Sequence, residues 1–160
     1  MVKAILLPTD GSATAIAAGD FAADIAKCEG AKVVVLGVLH PHQWGDTTEL
    51  PGDEVLRSDM HRAVDDEVAR LGGMGVQAEA RTWDTPTDQV QTAIEQVARE
   101  IGADFIVMGT HGRSGLDRAL LGSVTDRVLR HSTVPVLVVP PTSVRPQSQP
   151  RTTAGAAAGV

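Results

Sequence analysis

Aromatic side chains are nearly missing from this chain of 160 residues, where they make up 2% and tyrosine does not occur. Apolar residues nevertheless account for 42% of the sequence. The core must therefore be built from Val, Ile, Leu and Ala, which is typical of a parallel sheet covered by helices on both faces. The length suits one domain of ordinary size with a substantial core.

The sequence also lacks a cysteine framework, an excess of basic charge and a long apolar run. Cys28 is the single cysteine, which excludes an internal disulfide and suits a reducing cytosol. The formal net charge of −6 argues against a general nucleic-acid binder, because affinity for that polyanion rests on Lys and Arg clusters. No apolar stretch approaches a membrane span, and no signal segment opens the chain. We therefore expect a cytoplasmic protein that binds neither nucleic acid nor membrane.

Apolar runs and helical patterns alternate along the chain. Buried strands are predicted at 2–7, where Pro8 would end the strand, and at 33–39, 105–108 and 136–139, with a half-exposed edge strand at 76–81. Between them, apolar residues recur at helical spacing, and Gly30 and Gly102 end two of the helices. Asp10 or Ser12 would cap the first helix, and Thr85 and Asp88 would form a capping box with Pro86 at the first helical position. This order predicts a doubly wound sheet of about five parallel strands.

Residues 105–123 carry the clearest chemical signal. The fourth strand opens into a loop that contains Gly109, Gly112 and Gly122, and Ser123 then begins a helical pattern. A helix N-terminus offers main-chain N–H groups without internal partners and a partial positive charge, both of which favour phosphate. Glycine permits positive φ angles and lets a ligand approach the main chain closely. A strand, a glycine loop and a helix in this order therefore predict an anion site.

The spacing of these glycines is specific. Two residues separate Gly109 from Gly112, nine separate Gly112 from Gly122, and Ser123 follows directly. This arrangement resembles the nucleotide-binding signature of the universal stress protein family, in its ATP-binding branch. The segments 3–12 and 102–139 resemble the same family, so the resemblance covers about residues 2–140. It implies a family domain over 1–141, and the Pro-, Ser- and Ala-rich tail at 142–160 is expected to be disordered.

The resemblance implies a single Rossmann-like α/β domain in which the first and fourth strands are neighbours. The triphosphate of ATP would lie on the glycine loop, and the adenosine would reach toward the second strand, where the main chain of Val38 would contact the adenine edge. Asp10 would contact the ribose or a phosphate-bound Mg²⁺, unless it only caps the first helix. The residues implied to bind ATP are Pro8, Thr9, Asp10, Val38, Met108, Gly109, Gly112, Arg113, Gly122, Ser123 and Val124.

Other candidate sites are weaker. His40, His42 and Asp46 lie in a long loop that fixes no metal geometry, so no metal site is assigned to them. His111 also occurs at this position in the usual loop sequence of the family it resembles, which favours a packing role over that of a general base. No Walker-type lysine follows Gly122, and no residue of the loop is placed to orient water. No catalytic residue is therefore assigned.

Three functions follow from these observations. The leading one is an ATP-binding regulatory protein of the stress response that hydrolyses ATP slowly or not at all. The alternatives are an interaction module that acts without nucleotide and a low-turnover ATPase of a related α/β fold. In addition, the short, apolar last strand, 136–139, would pair with a second copy of the chain, so a homodimer is expected.

Overall fold

A computed structural model of the protein describes residues 1–39, 53–85, 89–110 and 121–140. Strands and helices alternate there, and each crossover is one helix. The elements are β1 (Ala4–Thr9), α1 (Ala13–Glu29), β2 (Lys32–Leu39), α2 (Asp53–Gly73), β3 (Ala78–Asp84), α3 (Val90–Glu100), β4 (Phe105–Gly109), α4 (Ser123–His131) and β5 (Val136–Val139). The strands form one parallel sheet in the order β3-β2-β1-β4-β5. The predicted α/β class, the five parallel strands and the neighbouring first and fourth strands are confirmed.

Two apolar clusters lie on opposite faces of the sheet. Successive residues of a strand point to opposite faces, so Ile5 and Leu7 of β1 belong to one cluster and Leu6 to the other. Helices α1 and α2 cover the first face, and α3 and α4 cover the second. The crossover that leaves β1 therefore lies on one face and the crossover that leaves β4 lies on the other. The gap between β1 and β4 is the switch point of the sheet, where ligands of open α/β folds bind.

Helix α1 follows the predicted capping chemistry. Ser12 is its N-cap, and the Ser12 hydroxyl accepts a hydrogen bond from the Ala15 N–H at 3.3 Å. Gly30 is its C-cap with a φ of 70°, a left-handed conformation that glycine adopts without steric cost. Of the two capping candidates, Ser12 is the cap and Asp10 is not.

The predicted start of the third helix at Thr85 is wrong. Helix α3 begins at Val90, and its N-cap is Gln89. Thr85 instead extends the neighbouring strands, because its N–H donates to the Leu39 carbonyl at 2.9 Å and the residue is buried. Pro86 and Asp88, the other members of the predicted capping box, lie outside the described residues.

The expectation that Pro8 ends the first strand is also wrong, since β1 continues to Thr9. The pairing with β4 involves Ile5 and Leu6, whereas the pairing with β2 continues through Pro8 to Thr9. Proline has no N–H to donate, and it is tolerated where a strand is paired on one side. The edge position of β3 and the bounds of α4 and β5 agree with the sequence.

Helix α2 is fixed to α1 by a guanidinium group. Arg70 donates to both carboxylate oxygens of Glu67, at 2.7 and 2.9 Å, and to Asp20 of α1 at 2.6 Å. These carboxylates, the buried Glu67 foremost, raise the pKa of Arg70 above its usual range. Gly19 gives them room, because a Cβ there would collide with the side chains of Glu67 and Arg70. The orientation of α2 over the sheet is thereby set.

Some predictions from the sequence concern residues outside the described ranges. These are the loop with His40, His42 and Asp46, the residue His111, and the tail at 142–160. Over the ranges that are described, no group of His, Cys, Asp and Glu has the arrangement of a metal site. None of the helices in those ranges is both long enough and apolar enough to cross a membrane.

Candidate functional site

A cleft opens at the carboxyl ends of β1, β2 and β4, at the switch point of the sheet. It encloses about 550 Å³ of space, including solvent at its mouth. The structure brings together there the predicted site residues from three strand ends and from α4, namely Pro8, Thr9, Asp10, Val38, Met108, Gly109 and Val124. The cleft is therefore built from segments that are far apart in sequence and meet only through the strand order.

The turn after β1 is held by its own side chains. Asp10 Oδ1 accepts a hydrogen bond from the Ser12 N–H at 3.0 Å, and Thr9 Oγ1 accepts one from the Gly11 N–H at 3.2 Å. Gly11 has a φ of 76°, which a residue with a Cβ adopts only at a cost. This turn holds Asp10 in place, and Asp10 is one of the residues that line the cleft.

The register of the sheet directs the Val38 carbonyl toward the cleft. At the start of β2 the Lys32 N–H donates to the carbonyl of Lys3, the residue before β1. Alternate residues of a strand direct their main-chain groups to the same side, so those of Val38 also point toward β1. The pairing of β1 with β2 ends at Thr9 and Gly37. If the ladder continued, the Gly11 N–H would donate to Val38, but it donates to Thr9 Oγ1 instead. The Val38 carbonyl thus offers an acceptor at the end of β2.

The start of α4 supplies donors on the opposite side of the cleft. The Gly122 N–H donates to the Thr110 carbonyl at 2.7 Å, which joins the two ends of the segment between β4 and α4. No side chain of the described residues caps α4. The N–H groups of its first turn, from Ser123, Val124 and Thr125, therefore lack partners within the helix. They provide the positive end of the helix dipole beside Gly109.

Thr125 fixes the geometry where β4 meets α4. Its hydroxyl donates to the Gly109 carbonyl at 3.0 Å, and the residue is buried at 4% exposure. Gly109 lies against α1 on its other side, because a Cβ added there would come within 2.8 to 2.9 Å of Thr14 atoms, including main-chain atoms. Glycine at this position is thus required for close packing of β4 on the start of α1.

A carboxylate in the first turn of α4 is already engaged. Asp126 accepts a hydrogen bond from Arg130 Nε at 2.8 Å. This bond holds the pKa of the Asp126 carboxyl below its usual range, so the group is ionised at neutral pH. Its charge is balanced by Arg130 one turn further along the helix.

The remaining predicted site residues are placed differently. Gly122 and Ser123 lie at the start of α4, and they are not among the residues that line the cleft. Gly112 and Arg113 lie outside the described residues. Their proposed phosphate contacts therefore stay predictions.

The cleft also contains residues that the motif did not indicate. They share an apolar or hydroxyl side chain near the carboxyl end of the sheet: Ala15, Leu36, Met60, Val90, Ile94 and Thr125. Met60, Val90 and Ile94 are recognisable in the sequence as members of apolar helix faces, but periodicity does not show which turn of a helix reaches the edge of the sheet. Leu36 precedes Val38 by two residues, and this spacing places both side chains on one face of β2.

This architecture defines a class: a doubly wound α/β protein with an open crevice at its switch point, the place where ligands of such folds bind. One wall of the crevice carries an acceptor and the opposite wall a helix N-terminus. Such an arrangement suits a ligand with a polar ring edge at one end and an anionic group at the other.

Comparison with known proteins identifies the family. The sequence profile of the universal stress protein family matches residues 1–140. The chain is 33% identical over 147 residues to the universal stress protein MJ0531 of Methanocaldococcus jannaschii, covering 87% of this chain and 82% of that protein. The chain belongs to the universal stress protein family, as the sequence motifs predicted.

Solved structures agree with this assignment. A universal stress protein family member from Burkholderia pseudomallei superposes with a TM-score of 0.72 at 34% identity, covering 87% of this chain and 96% of that one. A universal stress protein crystallised in complex with cAMP superposes with a TM-score of 0.65 at 26% identity, over 86% of this chain and 96% of that one. The second of these is a nucleotide complex of the same fold.

Proposed function

We propose that the protein binds ATP and acts as a regulatory protein of the stress response, with slow hydrolysis of ATP or none. One observation carries the proposal: a single cleft joins the Val38 carbonyl to the first turn of α4. An adenine amino group is a donor that suits the carbonyl, and phosphate oxygens are acceptors that suit the helix N-terminus. The cAMP complex of a related protein supports nucleotide as the ligand class.

In this proposal ATP spans the switch point. The adenine lies at the end of β2, the ribose lies over Thr9 and Asp10, and the phosphates lie along the segment that begins at Gly109. Gly112, Arg113, Gly122 and Ser123 contribute to the phosphate site, as the spaced glycines predict. Together with the residues that line the cleft, they form the complete set of proposed ATP contacts.

The role of Asp10 depends on what lies between its carboxylate and the phosphates. A carboxylate beside phosphate is unfavourable unless a hydroxyl or a cation separates them, so we assign it to the ribose or to Mg²⁺. The residues present fit either partner, because Asp10 lines the cleft next to Thr9. Mg²⁺, when bound with ATP, would neutralise phosphate charge.

The chemistry of the described lining supports the proposal of slow or absent hydrolysis. Among the described lining residues there is no lysine, arginine or histidine. Positioning and charge stabilisation are what phosphoryl transfer requires of a protein, and among the described lining residues neither a P-loop lysine nor a residue that orients water is evident. The protein would thus hold ATP as a signal. We further propose a cytoplasmic homodimer that pairs through β5, with residues 142–160 outside the domain.

Calorimetric titration with ATP, with and without Mg²⁺, tests the proposal. We expect saturable binding of one ATP per chain, which Gly122→Glu abolishes because the glutamate adds bulk and negative charge at the start of α4. Comparison of Asp10→Asn with wild type separates the two roles of Asp10. A loss of affinity that occurs only with Mg²⁺ present indicates that Asp10 contacts the metal. A loss of affinity that is equal for ATP and for 2'-modified analogues indicates that Asp10 contacts something other than the ribose. No binding at millimolar ATP would contradict the proposal and favour the interaction module.

A further inference from the structure

The wall of the cleft at the end of β2 is apolar. The polar side chains of the described lining are Thr9, Asp10 and Thr125, and they belong to the end of β1 and the start of α4. Around the end of β2 lie instead Leu36, Val38, Met60, Val90 and Ile94. Among the described residues at this end, a base would therefore meet the Val38 carbonyl and apolar side chains.

Met60 lies on the opposite face of the sheet from its neighbours in this wall. Val38, Val90 and Ile94 pack with the cluster under α3 and α4, whereas Met60 packs with the cluster under α1 and α2. The end of β2 thus has apolar side chains on both sides of the sheet. They form a slot, and Met60 is the part of its described lining that α2 contributes.

The position of Met60 is fixed by close packing. Gly37 lies beneath it, and a Cβ at Gly37 would come within 2.9 Å of both Met60 Cγ and Met60 Sδ. Helix α2 approaches β2 this closely only because residue 37 is glycine. The helix is also anchored on both sides of Met60, to β3 by the ion pair between Arg57 and Asp84 and to α1 by that between Arg70 and Asp20.

A thioether held in this way suits the face or edge of a flat ring. Methionine sulfur makes favourable contacts with aromatic rings, and the apolar area covered by a purine exceeds that covered by a pyrimidine. The Val38 carbonyl accepts from an amino group and so does not separate adenine from cytosine, which both carry one. Discrimination between these two bases then depends on how well the ring fills the slot.

We propose that Met60 is a specificity-determining residue, which closes the α2 side of the base slot and makes the cleft prefer adenine over cytosine nucleotides. The inference rests on the proposed ATP-binding function. It extends that function by assigning the choice of adenine over cytosine to an apolar side chain outside the glycine motif. Phosphate binding, at the other end of the cleft, is independent of Met60.

The test compares ATP, CTP and inorganic tripolyphosphate as ligands of wild type and of Met60→Ala. We expect Met60→Ala to weaken ATP binding by about tenfold, the scale of one lost apolar wall in a pocket. CTP should weaken less, so that the ratio of ATP to CTP affinity falls. Tripolyphosphate affinity should stay within about twofold of wild type, which also shows that the variant is folded.

Two further variants serve as controls. Met60→Leu keeps an apolar side chain of similar volume and should retain most of the ATP preference. Met74→Ala removes the same side chain just beyond α2, where Met74 packs on the cluster under α1 and α2 and does not line the cleft. It should leave the ratio of ATP to CTP affinity unchanged, whatever its effect on stability.

The possible outcomes separate the two proposals. If wild type binds ATP and Met60→Ala retains both the affinity and the preference over CTP, the role of Met60 is overturned and the proposed function stands. If Met60→Ala weakens ATP and tripolyphosphate equally, the effect is structural and the role of Met60 is again overturned. If wild type binds no nucleotide, the proposed function and this inference fail together.

Discussion

The Thr125 hydroxyl donates a hydrogen bond to the Gly109 carbonyl at 3.0 Å, and this contact joins the first turn of α4 to the last residue of β4. Both residues line the cleft. The bond bridges the segment that carries the glycine motif, whose ends are also tied by the Gly122 N–H and the Thr110 carbonyl. The donors at the start of α4 are therefore held at a fixed distance from the strand end.

Removal of the Thr125 hydroxyl should lower both stability and ATP affinity. Thr125→Val keeps the shape but leaves the Gly109 carbonyl without this donor in a buried site, at a cost of about 1 to 2 kcal/mol in the free energy of unfolding. Urea unfolding and ATP titration measure the two effects. Thr125→Ser, which keeps the hydroxyl, should recover most of both. Wild-type stability in Thr125→Val would show that the bond contributes nothing.

Substitution of Gly109 should destabilise the domain even without nucleotide. The Cβ of Gly109→Ala would come within 2.8 Å of the Thr14 main chain, and relief of that overlap costs about 1 to 3 kcal/mol. Gly72→Ala is the matched control, because nothing lies within 4 Å of a Cβ there and the residue is in α2. Thermal unfolding of the apo protein should show a lower Tm for Gly109→Ala only. Equal Tm values for the two variants would argue against close packing at Gly109.

Asp104 should contribute stability that depends on pH. Its carboxylate accepts hydrogen bonds from the Lys3 N–H at 2.7 Å and the Ala4 N–H at 3.1 Å, which lower the pKa of the group in the folded state. Because its pKa is lower in the folded state, the ionised carboxylate stabilises the fold at pH values above the pKa of the unfolded state, which is about 4. This contribution is lost as the pH falls through the folded pKa.

The comparison of wild type with Asp104→Asn isolates that contribution. We expect the Tm difference between the two proteins to be largest near neutral pH and to shrink progressively below about pH 4, where the wild-type carboxylate becomes protonated. Thermal unfolding over this pH range provides the measurement. A Tm difference that does not change with pH would mean that the charge of Asp104 is not involved.

Disruption of β5 should produce monomers if this edge is the dimer interface. β5 lies at one end of the sheet, and Leu137 on it is 37% exposed. An arginine at this position would place charge in a paired edge, so Leu137→Arg should halve the mass seen by light scattering at micromolar concentration. Val55→Arg alters another exposed apolar residue, on α2, and should leave the mass unchanged. A wild-type monomer would contradict the proposed dimer.

The sequence predicts the fold well because the alternation of strands and helices is strong and each crossover contains one helix. It fails where local signals compete with the sheet. Thr85 carries a capping pattern but pairs as an extension of β3, and Pro8 stays in β1 because pairing on one side does not need its N–H. Tertiary pairing decides both positions, and a local pattern does not contain it.

The site is predictable in part for the same reason. Residues in the glycine motif, such as Gly109, and residues beside it, such as Val124, follow from a local signature. Met60 and Thr125 do not, since their positions in the cleft depend on how far α2 extends along the sheet and on where α4 begins. Gly37 is the sequence feature that close packing of α2 on β2 requires. Its role is recognised only in the structure, where Met60 packs against it.

The most direct test of ATP binding is the nucleotide content of freshly purified protein. We predict that wild type releases ATP on denaturation, or takes it up when supplied, as seen by absorbance and mass spectrometry, and that Gly112→Glu and Gly122→Glu do neither. The glutamates add bulk and negative charge at the proposed phosphate site, so a folded variant without nucleotide is the expected result. A wild-type protein that contains no nucleotide and does not bind added ATP would contradict the proposed ATP binding. The glycines would then be turn residues of an interaction module.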